Sequence, residues 1–268
     1  MDIFAPFMEL EAIDMHAHLG FYAGFTPSEM MAFGAGTEEM MQRASDCNIK
    51  LTVASSLSAF DPENGPAADV HAANEQMARE VETHDKLRFY TVINPKLKGW
   101  EVHAERMLAH PRCAGVKLHP RWNYWAVEEY GDRLFGFLHE RKLLTLTHTG
   151  NAGNEPHRFI PFANRYSGVR LILAHIGHSE AGRFDAQVDA ACTSEHRNVW
   201  ADTSSMKSMV GRVIEHAVEQ LGADRILFGT DSPLYFPAAQ KARIAYARIS
   251  DEAKHKIFVE NAAGLLAI

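Results

Sequence analysis

The chain has 268 residues, with 27 Lys and Arg against 34 Asp and Glu, for a formal net charge of −7. With no basic stripe or block, that balance argues against nucleic acid as a partner, and no apolar stretch approaches the roughly 20 residues that span a bilayer. The three cysteines, Cys47, Cys113 and Cys192, form no CxxC spacing, which excludes a disulfide scaffold and fits reduced thiols in a cytoplasmic protein.

The N-terminus carries Asp2, Glu9 and Glu11 and has neither a basic nor an apolar leader region, so no signal peptide is expected. The first strand is expected over residues 11–18 and ends in His16-Ala17-His18. In a strand, residues i and i+2 share a face, so the two imidazoles project together, with Asp14 one step below them. A second strand is expected at 50–55. An amphipathic helix follows, on Val70, Ala73, Met77 and Val81. Strands at 87–93, 113–119, 143–148, 169–175 and 199–203 come next, then a helix on Val210, Val213, Ile214, Ala217 and Leu221, then a strand at 226–230. Gly131 and Gly136 weaken the helical pattern around Leu134.

Eight apolar strands alternating with helices imply a parallel sheet, and eight is the number that closes it. The expected fold class is therefore α/β, a single-domain (β/α)8 TIM barrel over residues 1–268. An open doubly wound sheet is the alternative. It would be favoured by a glycine-rich phosphate loop, and no GxGxxG or Walker pattern occurs.

Catalytic groups of such barrels sit at the C-terminal ends of the strands. Those ends read His16-Ala17-His18, Lys117-Leu118-His119-Pro120, His148-Thr149-Gly150, His175-Ile176-Gly177 and Gly229-Thr230-Asp231-Ser232-Pro233. Five of the eight strands thus end in side chains able to bind a metal. Unpaired imidazoles crowded into a barrel mouth are costly to desolvate, and a shared cation accounts for them.

The segments "IDMHAHLG", "GVKLHP", "LTHTG", "LAHIG", "ADTSS", "FGTDSP" and "VENAAGLL", in that order, resemble the amidohydrolase superfamily, in its amidohydrolase-related branch. The resemblance implies a barrel with a divalent metal, usually zinc, at its mouth. It implies that His16, His18, His148 and Asp231 are metal ligands, and that Asp231 and His175 are the catalytic residues. In two-metal relatives His175 and a carboxylated strand-four lysine, here Lys117, join the ligand set. One ion is the expectation, because His119 shares the face of Lys117 and lies nearer the strand end. An ion pair of Lys117 with Asp14 or Asp231 is the alternative role for that lysine.

A cation of this kind lowers the pKa of its water from 15.7 to near 7, which suits hydrolysis of an amide, ester or lactone of a small, anionic or cyclic substrate. Decarboxylases of the same branch resemble the chain in the same ligands, and a metal-binding protein without catalysis is a third reading. Lys117, His119, Arg121 and Trp122 are expected to bind substrate, since a cation beside aromatic rings suits an anionic or planar group. The loop from Pro120 to Trp125 would otherwise cap the barrel rim. Residues 20–36, rich in Gly, Phe and Met, read as a lid or as a contact with a second subunit, so homo-oligomerisation stays open. Asn151, Asn154, His157 and Arg158 line the pocket or an exposed loop. Thr203 and Ser204 are expected to support the site groups. His178 reads as structural, and His71, His84, His103, His110, His139, His196, His216 and His255 as solvated.

Overall fold

A computed structural model describes residues 9–62 and 67–268. Residues 1–8, on which part of the leader expectation falls, lie outside them. Eight strands, β1 (Ala12–Leu19), β2 (Ile49–Ser56), β3 (Leu87–Val92), β4 (Cys113–Leu118), β5 (Leu144–Thr147), β6 (Arg170–Leu173), β7 (Val199–Asp202) and β8 (Ile226–Leu227), pair in sequence order, all parallel. Backbone bonds from Met15 N to Phe228 O (2.9 Å), Thr230 N to His16 O (3.1 Å) and His18 N to Ser232 O (2.6 Å) tie β1 to the β8 region. The sheet thereby curls into the expected (β/α)8 barrel.

The strands bury residues on both faces, as parallel strands covered by helices do. Ile13, Met15, Val53, Tyr90, Leu144, Leu146, Ile172 and Leu227 pack together and are joined by Ala262 and Leu265 of the last helix, Asn261–Leu266. A larger layer between sheet and helices includes Phe135, Phe159, Leu171, Ile214 and Phe258. Each fully buried side chain of this size contributes about 1.5–3 kcal/mol over exposure.

Three local expectations are revised. The weak pattern around Leu134 forms a full helix, Val127–Glu140. Gly131 costs helix propensity but permits close packing, since a Cβ there would lie 2.4 Å from Phe162 Cε1. Val210 falls outside its expected helix, which runs Val213–Leu221, and its side chain is exposed. In β1 the register advances from Asp14↔Thr52 to Ala17↔Ala54, three residues against two. That extra residue changes the phase of the strand. Asp14 accordingly sits apart from the two histidines' role: Oδ1 accepts from His16 N (3.1 Å) and Thr230 N (3.0 Å), and Oδ2 accepts from Thr230 Oγ1 (2.5 Å). It fastens β1 to the loop after β8.

Among the described residues no helix is long and apolar enough to cross a membrane.

Candidate active site

The C-terminal strand ends surround a cavity of about 340 Å³ lined by His18, Lys117, His119, His148, His175 and Asp231, and by Arg121, Trp122, Asn151 and His178 from the loops above. Asp231 Oδ1 lies 3.0 Å from His18 Nε2 and 3.4 Å from His16 Nε2. Lys117 Nζ is 2.8 Å from the same His16 nitrogen. The lysine therefore reaches the histidine pair, despite His119 standing nearer the strand end. Across the mouth, His175 Nδ1 is 4.0 Å from Asp231 Oδ2, and His148 Nδ1 is 3.0 Å from His175 Nε2.

Backbone geometry aims two of these side chains. His175 (φ 74°) and Asp231 (φ 56°) occupy the left-handed region, which is uncommon outside glycine. Their N–H groups are held by Asp202 Oδ1 (2.9 Å) and His16 O (2.7 Å), so the surroundings impose the conformation.

Asp202, at the end of β7, had no role assigned from sequence. Its Oδ2 accepts from His16 Nδ1 (2.8 Å), and its Oδ1 accepts from the N–H groups of His175 and Ser204 (2.9 and 3.0 Å) and from the Ser204 hydroxyl. The His16 bond places the proton of that ring on Nδ1 and frees Nε2 for the cavity. Ser204 Oγ lies 2.9 Å from both His16 Nδ1 and His175 Nδ1, so it does support the site as expected. The signal for Asp202 in the sequence was only its place at a strand end.

Burial sets the protonation states. It pushes His18 down to about 4 and His175 to about 3, and His119 and His148 well below the usual imidazole range. Burial also pushes Lys117 down to about 8, against the pull of Asp231 and Asp202. It acts to raise Asp231, but His175, His18 and His16 outweigh it and hold the carboxyl well below its ordinary value. His16 again leads a set of neighbours that holds Asp202 low against burial. Neutral imidazoles beside ionised carboxylates are the ligand forms that a divalent cation requires. Among the described residues, two groups converge closely enough to bind one: His16, His18 and Asp231, and His16, His175 and Asp202. His148 belongs to neither group.

The loop after β4 packs one ring against the site and another against the barrel. Trp122 stacks on His119 (4.7 Å between ring centroids, 5° between planes), and His119 stacks on His148 (4.1 Å, 9°). Trp122 N donates to His119 Nδ1 (3.3 Å), which leaves the His119 proton on Nε2. Trp125, in contrast, is buried in the barrel's outer core, and Tyr124 is exposed. Of the loop residues after β5, Asn151 lines the cavity. Arg158 instead pairs with Glu128 and Glu155. His178 lines the cavity as well, 5.9 Å from the His175 ring. Its strand phase was no guide, because the chain turns back over the mouth there.

The family model described as Amidohydrolase matches residues 13–268. The chain belongs to the amidohydrolase family. No curated protein matches it by sequence. Among solved structures, this amidohydrolase resembles 5-carboxyvanillate decarboxylase from Sphingomonas paucimobilis at 17% identity and a TM-score of 0.74, covering 97% of this chain and 99% of that one. It resembles dihydroxybenzoic acid decarboxylase from a Polaromonas species, solved with manganese and 2-nitroresorcinol, at 16% identity and a TM-score of 0.74, covering 96% and 97%. A TIM-barrel protein from Bordetella bronchiseptica matches at 18% identity and a TM-score of 0.73, covering 96% and 99%. At these identities the likeness concerns the fold. The family supports a divalent metal, and His16, His18, His175, Asp202 and Asp231 could bind it.

Proposed function

We propose that this amidohydrolase is a metal-dependent hydrolase of a small, planar or cyclic, anionic substrate carrying an amide, ester or lactone bond. The observation that carries the reading is Asp231, ionised and within 3.0–3.4 Å of His18 and His16 at the cavity floor. His16, His18 and Asp231 would hold the cation, His148 from across the mouth would be the further ligand, and Zn²⁺ would suit this nitrogen and oxygen set. When bound, the cation would supply Lewis-acid polarisation and acidify water. Asp231 Oδ2 accepts the proton of the attacking water and returns it to the leaving group. His175 stabilises charge that develops on the substrate oxygen. His119, with its proton on Nε2, Arg121 and Lys117 orient the anionic group, and the flat face of Trp122 packs against the ring.

Decarboxylation is the second reading. Its support is the fold likeness to decarboxylases of carboxylated phenols, matched over nearly their whole length. Product analysis on the metal-loaded protein separates the two, using a panel of lactones, aryl amides and hydroxybenzoates. Hydrolysis predicts a new carboxylate with no change in carbon count. Release of CO₂ from a hydroxybenzoate, with lactones and amides untouched, would replace the first reading by the second.

A further inference from the structure

The loops after β5 and β6 hold a polar chain, centred on Glu180 and Asn151, that reaches His148. Glu180 grips the β5 loop with both carboxylate oxygens: Oε2 accepts from Ala152 N (2.7 Å) and Oε1 from Asn151 Nδ2 (2.6 Å). Arg121 Nη1 stands 3.6 Å from Oε1, and Glu180 N donates to Gly150 O (2.8 Å). Asn151 Oδ1 in turn meets His148 Nε2.

Donor and acceptor counting makes this chain directional. An ionised carboxylate only accepts, so the Asn151 NH₂ must face Glu180. The amide oxygen must then face His148, so the His148 proton sits on Nε2 and Nδ1 is bare. The stack on His119 fixes the plane of the His148 ring, and Asn151 fixes its rotation within that plane. On the other side, the Ser204 hydroxyl donates to Asp202 Oδ1, so it accepts from His175 Nδ1. His175 Nε2 is then bare too. Two unprotonated nitrogens, His148 Nδ1 and His175 Nε2, face each other at 3.0 Å. Two lone pairs at that distance repel, so each nitrogen is left to seek a partner other than its neighbour.

We infer that Glu180 and Asn151 are positioning residues that lock His148 as its Nε2–H form and so present Nδ1 as the metal-binding nitrogen. The inference rests on His148 being a ligand in the proposed site, but the lock itself is a property of the protein with or without metal. Glu180 acts through Asn151. A glutamine at position 180 can offer either its oxygen or its NH₂, which allows the Asn151 amide to turn over and the proton to move to Nδ1.

The test uses the full chain labelled with ¹⁵N at histidine, and reads the His148 form from two-bond ¹⁵N–¹H correlations after chelation. Zn²⁺ affinity is then measured by competition with a chromophoric chelator. The wild type is expected to show Nε2–H at His148. Asn151→Ala and Glu180→Gln are expected to show a mixture of forms, with Zn²⁺ affinity reduced about 10- to 100-fold and the circular dichroism unchanged. An Nδ1–H form in the wild type would overturn the inference, as would a single unchanged Nε2–H form in both variants. A wild-type chain that keeps Nε2–H but binds no Zn²⁺ would leave the lock standing and overturn the metal reading instead.

Discussion

Asp202 Oδ2 lies 2.8 Å from His16 Nδ1, so the end of β7 orients the first histidine of β1 across a sequence separation of 186 residues. The other Asp202 oxygen is taken by His175 N, Ser204 N and the Ser204 hydroxyl. The carboxylate therefore works as an orienting acceptor for both sides of the site.

Asp202→Asn should show this directly. The amide replaces one acceptor oxygen with a donor, so either His16 must move its proton to Nε2 or a buried donor is left unpaired. Zn²⁺ affinity should fall about 10- to 100-fold, and stability should drop by about 1–3 kcal/mol. Titration with Zn²⁺ and urea unfolding of the metal-free protein measure the two effects. Wild-type affinity in the variant would remove Asp202 from the account.

Gly229 gives a steric test of the same region. A Cβ at this position would sit 2.9 Å from His16 Cβ and 3.1 Å from Ser204 Cβ. Both neighbours are anchored close to the backbone and cannot swing away. Gly229→Ala should therefore cost about 1–3 kcal/mol by overpacking and weaken metal binding through displacement of His16. Unfolding and metal titration that both match wild type would show that the strands relax freely there.

His16 and His175 should separate. His16→Ala removes a nitrogen that meets Asp231 and Lys117, and should abolish both metal retention and turnover. His175→Ala should keep the metal and lose turnover, because His175 stands 4.0 Å from Asp231 and is assigned to the substrate. Elemental analysis of the second variant decides the point, and loss of its metal would make His175 a ligand.

His103 predicts a pH dependence away from the site. Its ring is 8% exposed, stacks on His71 (4.0 Å, 13°), and lies 3.3 Å from Asn74 Nδ2 and 3.2 Å from Arg106 Nη2. Burial first, then the neighbouring His71 and Arg106, push it down from 6.5 to about 4. Between those values the unfolded chain binds the extra proton and the folded chain does not. Stability from a neutral His103 is thus complete above about 6.5 and is lost as pH falls towards 4. His18, His119, His148 and His175 titrate in the same direction, so the comparison is with His103→Asn. The stability gap between the two proteins should narrow on acidification, and a constant gap would contradict the assignment.

Much of this was legible in the sequence, for reasons that also explain the omissions. The strands show because parallel strands covered on both faces become continuous apolar runs, and His16, His18, His148, His175 and Asp231 show because each ends one. Asp202 ends a strand too, but its partner lies 186 residues away and no spacing links them. The position of Asp14 was misread because one additional residue in β1 alters the strand's phase, and nothing local marks it. His103 was assigned to a solvated face, yet Asn74 and His71 of the preceding helix, Val70–Glu80, cover it. Helical period places a residue on a face but does not say what packs there.

His16, His18 and Asp231 are placed to converge on one divalent cation. Metal content per chain tests it most directly, measured by elemental analysis after loading with Zn²⁺ and gel filtration, for the wild type and His18→Ala. The account predicts about one equivalent in the wild type and none in the variant, as a site built on these ligands requires. A wild-type chain without bound metal, or a His18→Ala variant that retains the full equivalent, would contradict it.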